Sequence, residues 1–257
     1  MALALGNIRA SWAALPLELV VGTIFFAHGL QKLSNPSGFG EHALGGIPLF
    51  MVYLVIAAEF GGGLLLLSGF LVRLGAIGHL CVMAVAISQV HWGNGLTGPG
   101  SFEFPLSLFA ASIALLMLGP DPISIDDNVG VSIYRSSDAA YRRESVDVGS
   151  PNVKAAGALL IIAGILLPLA RTYLGIQEGI FPLLITIIIG LASVVAGATL
   201  ISGKPWAYIP AFIMARLYLG ASVLLLFYIK YTLRGIAALL VSLVMLAALR
   251  SARRGVK

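Results

Sequence analysis

Eight apolar runs constrain this chain more than any other feature of its sequence. They lie at roughly residues 14–33, 49–72, 74–92, 102–119, 155–174, 179–203, 207–229 and 235–249, and a helix needs about 20 such residues to cross a bilayer. Within lipid the backbone satisfies its own polar groups only as a helix or a closed barrel. Barrel strands alternate in polarity over about ten residues, and these runs do not alternate. The expected fold class is therefore all-α, a polytopic integral membrane protein with about eight transmembrane helices. The last run is the shortest, expected to tilt little or to sit partly in the interface. Composition excludes the other classes: 59% of the 257 residues are hydrophobic and 11% are charged, where a soluble domain has about 25% charged residues and a disordered chain has few apolar ones.

The only long polar stretch, Asp121 to Lys154, separates the first four runs from the last four. This gives three expected parts: a four-helix membrane bundle over 1–127, a cytoplasmic polar linker over 128–154, and a second four-helix membrane region over 155–257. Basic residues bias a membrane protein toward the cytoplasm. With the N-terminus inside, eleven Lys and Arg fall on the inner side, four on the outer side, and Arg216 lies within a span. The expected location is the plasma membrane of a prokaryote, with both termini cytoplasmic. A first segment with the single basic residue Arg9, and no short apolar core before a small-residue cleavage site, is expected to stay as a helix.

The net charge of +5 and pI near 9.5 would suggest nucleic acid in a soluble protein. Here the basic residues lie between apolar runs and in the tail, where they set topology and meet lipid headgroups. The expected surroundings are thus the lipid bilayer, with no nucleic acid. One cysteine, Cys81, leaves no redox pair within the chain. No Gly-rich phosphate loop or HExxH metal motif occurs. Two segments rich in Gly and Pro, Ser34–Pro48 and Trp92–Gly100, are expected either to cover a site or to be plain turns.

An ionisable group inside a membrane costs several kcal/mol unless it faces a cavity or finds a partner. Nearly all such groups are in the first half: Glu18, His28, Lys32, Glu59, His79, His91 and Glu103. By a rise of 1.5 Å per residue, Glu59 lies about 15 Å into the second span and His28 about 8 Å below the end of the first. Lys32 follows His28 by one turn on the same helix face. Several have structural readings as well. Lys32 suits a snorkelling lysine, Glu103 a helix-start acid, and His79 a packed core histidine. Glu18 suits a helix-start acid or a partner of Arg73, and Arg216 a tie between helices of the second half. His28, Glu59 and His91 lean toward function.

The stretch His28-Gly-Leu-Gln-Lys-Leu33 is followed by Ala58-Glu-Phe-Gly-Gly-Gly-Leu-Leu-Leu-Leu-Ser-Gly69 and then Arg73. After these come His91 with Asn94-Gly95, Glu103, and Gly119-Pro-Asp-Pro-Ile-Ser-Ile-Asp126. This ordered series over 14–127 resembles the DoxX family of membrane proteins. The resemblance implies a four-helix bundle and membership of a group associated with membrane oxidoreductases, among them the thiosulfate:quinone oxidoreductase of sulfur-oxidising archaea. Two departures stand out. Glu18 occupies a place where many members carry a basic residue, and the second half lies outside the family's core.

On that basis the expected function is a DoxX-like membrane oxidoreductase subunit passing electrons from a small outer-face reductant such as thiosulfate to quinone. His28 and Glu59 would be the catalytic proton donors. Lys32, His91 and Glu103 would bind the anionic substrate. Gly62 and Gly63, beside Glu59, would let the flat quinone cofactor approach the backbone. His28, Glu59, His91 and Glu103 also offer a donor set for a first-row metal, although no metal site is predicted. The alternative is a non-catalytic subunit that anchors or stabilises a larger respiratory or oxidoreductase complex, its small residues Gly190, Ala192, Ala196 and Gly197 serving helix contacts. A transporter is a third reading, weakened by the lack of an inverted repeat.

Overall fold

The computed structural model of the chain describes residues 10–42, 46–129, 145–173, 180–227, 232–251 and 253–254. Most of the expected linker, 130–144, lies outside the described residues. The chain divides into two compact units, Met1–Ile133 and Tyr134–Lys257.

Within the described residues, each expected apolar run contains a helix. In the first unit the helices are α1 (Ala14–Ser34), α2 (Pro36–His42), α3 (Leu49–Ser68), α4 (Val72–Asn94), α5 (Glu103–Leu118) and the short α6 (Ile125–Val129). In the second they are α7 (Pro151–Tyr173), α8 (Ile180–Ile201), α9 (Tyr208–Phe227) and α10 (Thr232–Ser251). Among the described residues, α1, α3, α4 and the stretch Pro205–Val223 are long and apolar enough to cross a membrane, and four further helices are apolar but shorter. The fold is that of an all-α polytopic membrane protein. The only strands described are the two-residue pair Ser145–Val146 and Arg253–Arg254, joined antiparallel.

The core of the first unit gathers Val21 and Phe25 of α1, Leu66 of α3, Val72, Ala76 and Met83 of α4, and Leu108 and Leu115 of α5. Lipid tails are as apolar as these side chains, so close packing holds such a bundle together. Glycine makes that packing possible where α1 meets α3. A Cβ at Gly63 would stand 2.5 Å from the Phe26 amide nitrogen, and one at Gly29 would strike the amide nitrogen of Phe60.

Polar groups close the bundle at its other end. Glu18, fully buried, accepts the Asp121 amide at 2.8 Å, and Asp121 accepts the Ile123 amide at 2.6 Å. Arg73 donates through Nε to the Leu116 carbonyl at 3.2 Å. Asp126 accepts the amides of Leu71 and Val72 at 2.9 and 3.0 Å, and its own amide donates to the Gly69 carbonyl. The Gly119–Asp126 series therefore works as a latch over the turn between α3 and α4.

In the second unit α7 and α8 pack through two pairs of glycines. A Cβ at Gly157 would lie 2.9 Å from the Gly197 carbonyl oxygen, and one at Gly164 would lie 2.5 Å from that of Gly190. The seven-residue spacing on each antiparallel helix brings both pairs onto one seam. Hydroxyl contacts continue across the unit, Ser193 with Tyr218 at 3.0 Å and Ser222 with Ser242 at 3.2 Å. Arg216 is fully buried in α9.

Candidate functional site

A cavity of about 600 Å³ opens in the first unit, toward the end of the bundle that carries α2. Its walls come from α1, α3, α4 and α5 and are largely apolar, with Phe25, Val55, Val82 and Leu108 among them. Four acidic or basic side chains line it: His28 and Lys32 from α1, Glu59 from α3 and His91 from α4. Residues up to 63 positions apart in sequence thus share one space.

Lys32 and Glu59 form an ion pair through Nζ and Oε2. Glu59 is 3% exposed and Lys32 is 17% exposed, so both charges are largely removed from solvent, and each offsets much of the other's desolvation cost. The Lys32 ammonium also lies 4.9 Å from the ring centroid of Phe39, a distance suited to cation–π attraction. Phe39 belongs to α2, the short helix inside the first Gly/Pro-rich segment. That segment therefore contributes to the site.

Two π-helical turns set the acid and the second imidazole. Residues Ala57–Gly61 of α3 form one turn, with Glu59 at its centre, and Ala86–His91 of α4 form the other, ending on His91. Such turns widen the helix by one residue and recur at functional sites. Gly29 lets α1 lie directly against the first of them, at Phe60, which brings Lys32 to Glu59 one turn further on.

His91 Nδ1 lies 2.7 Å from the Gly100 carbonyl. A carbonyl only accepts, so Nδ1 carries the proton and Nε2 of the neutral ring keeps a lone pair. Asn94 Nδ2 donates to the same carbonyl at 2.9 Å, and Trp92 stacks on Phe102. Gly95, Gly98 and Gly100 all take positive φ, which explains the glycine content of the second polar segment: it is a tight loop that orients His91.

The remaining sequence-predicted residues lie elsewhere. Gly62 and Gly63 do not line the cavity; both serve helix contacts. A Cβ at Gly62 would sit 2.7 Å from Nε2 of His79. His79 is fully buried and stacks on Phe25 at 3.7 Å. Glu103 is exposed and does not line the cavity, although Phe104 and Pro105 next to it do. Among the described residues no three His, Cys, Asp or Glu side chains converge to hold a metal ion. Cys81, Phe39 and both π-helical turns belong to the site and escaped the sequence reading. Phe39 and Cys81 carry no charge to flag them, and a π turn has no sequence signature.

The DoxX family profile matches residues 13–92, which hold all four acidic or basic cavity residues. A Bacillus subtilis (strain 168) protein named "Putative oxidoreductase CatD" is 33% identical over 103 residues, 38% of this chain and 75% of that protein. The chain belongs to the DoxX family. A second relative, "Inner membrane protein YqjF" of Escherichia coli (strain K12), is 31% identical over 112 residues, 42% of this chain and 85% of that protein. No solved structure matches the chain. The DoxX profile ends at residue 92, whereas the sequence resemblance reached 127 and included the latch over Gly119–Asp126.

Proposed function

We propose that this DoxX protein is a membrane oxidoreductase subunit whose cavity passes two electrons from a small reductant, such as thiosulfate, to a quinone. The supporting observation is the buried Lys32–Glu59 pair opening onto an apolar cavity that also holds His28 and His91. The name of the CatD relative supports the oxidoreductase class. The overall balance joins two thiosulfates to one tetrathionate and releases two electrons, and the quinone takes those electrons with two protons to become a quinol.

The cavity's residues fit a quinone. Its volume accommodates a substituted ring, its walls are apolar, and donors and acceptors gather along one part of the lining. A bound quinone supplies the electron-accepting chemistry. Lys32 would place positive charge beside a ring oxygen, where negative charge gathers as electrons arrive. His28 would hold one proton to be delivered, and Glu59, a carboxylate while paired with Lys32, would take up the other and pass it on. His91, with Nε2 as acceptor, would orient a hydroxyl or receive a proton. The pair would thus move from bonding each other to bonding the ligand.

In the proposed topology both termini are cytoplasmic and the cavity lies in the outer half of a prokaryotic plasma membrane, as the distribution of basic residues supports. Reporter fusions at residues 95 and 257 would test this, with only the first expected to read as external. The function is tested by thiosulfate-dependent quinone reduction in membranes containing equal amounts of wild type, Glu59→Gln and His28→Ala. Loss in both variants supports the reading. Full activity in both would move the chemistry to a partner and leave this chain as an anchoring subunit.

A further inference from the structure

We infer that the cavity takes its occupant sideways from the bilayer, through a gap between α3 and α4, and that the occupant is a lipid-soluble molecule with an oxygen-bearing ring and an apolar tail. This rests on the proposed function and adds the route and the shape of the ligand.

The gap follows from how the two helices meet. α3 and α4 touch closely in the halves nearest their connecting turn, where a Cβ at Gly75 would stand 3.0 Å from the Gly62 carbonyl oxygen and Gly62 abuts His79. The cavity lies between the other halves, with Leu54, Val55 and Ala58 on one side and Cys81, Val85 and Val90 on the other.

The rim of the cavity is apolar and open. Leu54 is 64% exposed, Val85 48%, Val90 50% and Phe104 51%, and all four also line the cavity. On helices that cross a membrane, apolar side chains with such exposure meet acyl chains. Their depth agrees. Leu54 lies about 8 Å from the start of α3, and Val85 about 9 Å from His91 near the end of α4, by the rise per residue. Both positions fall within the hydrocarbon layer.

The loop side differs, since the Lys32 charge stands behind it, and it is the side from which an anionic reductant would approach. Phe39 and Ile47 line the cavity there, and the Phe39 ring stands over the Lys32 ammonium. A hydrated anion crossing the rim would have to shed its water against leucine and valine, at a cost no group on the rim offsets. A ring on an apolar tail loses little along that path. Its oxygens would meet Lys32 and Glu59 at the inner wall, with the exposed His28 further out, while the tail would stay between Leu54 and Val85.

A gap of this kind controls rates, whereas the polar wall controls affinity. The test uses the full chain in phospholipid nanodiscs and a decyl-tailed ubiquinone, its binding followed by quenching of tryptophan fluorescence. In the Cys81→Ser/Val85→Cys protein, a bulky methanethiosulfonate label at residue 85 is expected to slow association and dissociation at least tenfold, whereas the same label on Cys81→Ser/Leu74→Cys, exposed on α4 but away from the cavity lining, should leave both rates unchanged. Removing the label with a thiol that is then washed out should restore both rates, which controls for misfolding, and Leu54→Trp should slow them likewise. Binding that persists with unchanged rates, and that Glu59→Gln still weakens, would overturn the side route alone. If the unmodified protein does not bind the tailed quinone, the route and the proposed function fail together.

Discussion

Asp126 holds Leu71 in place: the Oδ1 atom of the aspartate accepts the leucine amide at 2.9 Å, and Leu71, at φ 47°, is the only non-glycine residue with positive φ among those described. A leucine in the left-handed region carries a conformational cost of about 1–2 kcal/mol, which the latch offsets. Asp126→Ala would leave two amides without acceptors and is expected to destabilise the first unit by about 2–3 kcal/mol. Asp126→Asn, with one acceptor oxygen, should lose about half as much. Thermal unfolding in detergent checks both.

The same carboxyl should make stability depend on pH. Burial raises its pKa above the usual 3.8, opposed by the amides of Leu71 and Val72 and by the nearby Arg73. A folded-state pKa above the unfolded one means that the folded chain binds the proton more tightly. Stability from this group therefore falls as pH rises from 3.8 through the raised value and is level above it. In unfolding midpoints across that interval, wild type should gain on Asp126→Asn as the pH is lowered; parallel curves would contradict the prediction.

Removing one partner of a largely buried ion pair costs more than removing both, because a lone charge remains. Lys32→Met is expected to destabilise the chain by about 3–5 kcal/mol, while Lys32→Met/Glu59→Gln should recover most of that loss. A double-mutant cycle on unfolding free energies measures the coupling. Simple additivity would show that the two side chains do not meet.

Gly29 and Gly61 lie on facing helices yet should respond oppositely to alanine. A Cβ at Gly29 has the Phe60 backbone in its way, while nothing lies within 4 Å of one at Gly61. Gly29→Ala should cost about 1–3 kcal/mol through forced backbone shifts and weaken quinone binding by displacing Glu59. Gly61→Ala should be neutral or gain up to about 1 kcal/mol. Thermal stability and ligand titration of the two variants decide this.

The helices were legible in the sequence because hydropathy over twenty residues is a strong signal, and burial of ionisable groups in lipid is costly enough to mark His28, Lys32, Glu59 and His91. Their convergence was not legible, since it depends on which helices touch, and that is set by glycines such as Gly29 and Gly63. Those glycines also misled. Gly62 and Gly63 suggested room for a ligand, but the space a missing side chain leaves went to His79 and to the backbone of α1. Glu18 was read as a helix-start acid or a partner of Arg73, and it receives an amide from Asp121, over a hundred residues away.

The widened turn at Ala57–Gly61 makes the length of α3 matter independently of its hydropathy. Deleting one residue between 57 and 61 would let the helix close into a regular α-spiral that still spans the membrane with almost the same composition. The helix on either side would keep its phase, because the widened turn takes one more residue for the same rotation, while the residues inside the turn, Glu59 among them, would be re-aimed. Lys32 would then face apolar wall where it now meets the Glu59 carboxylate. Among relatives, a gap of one at this point would therefore mark proteins that kept the bundle and gave up the site.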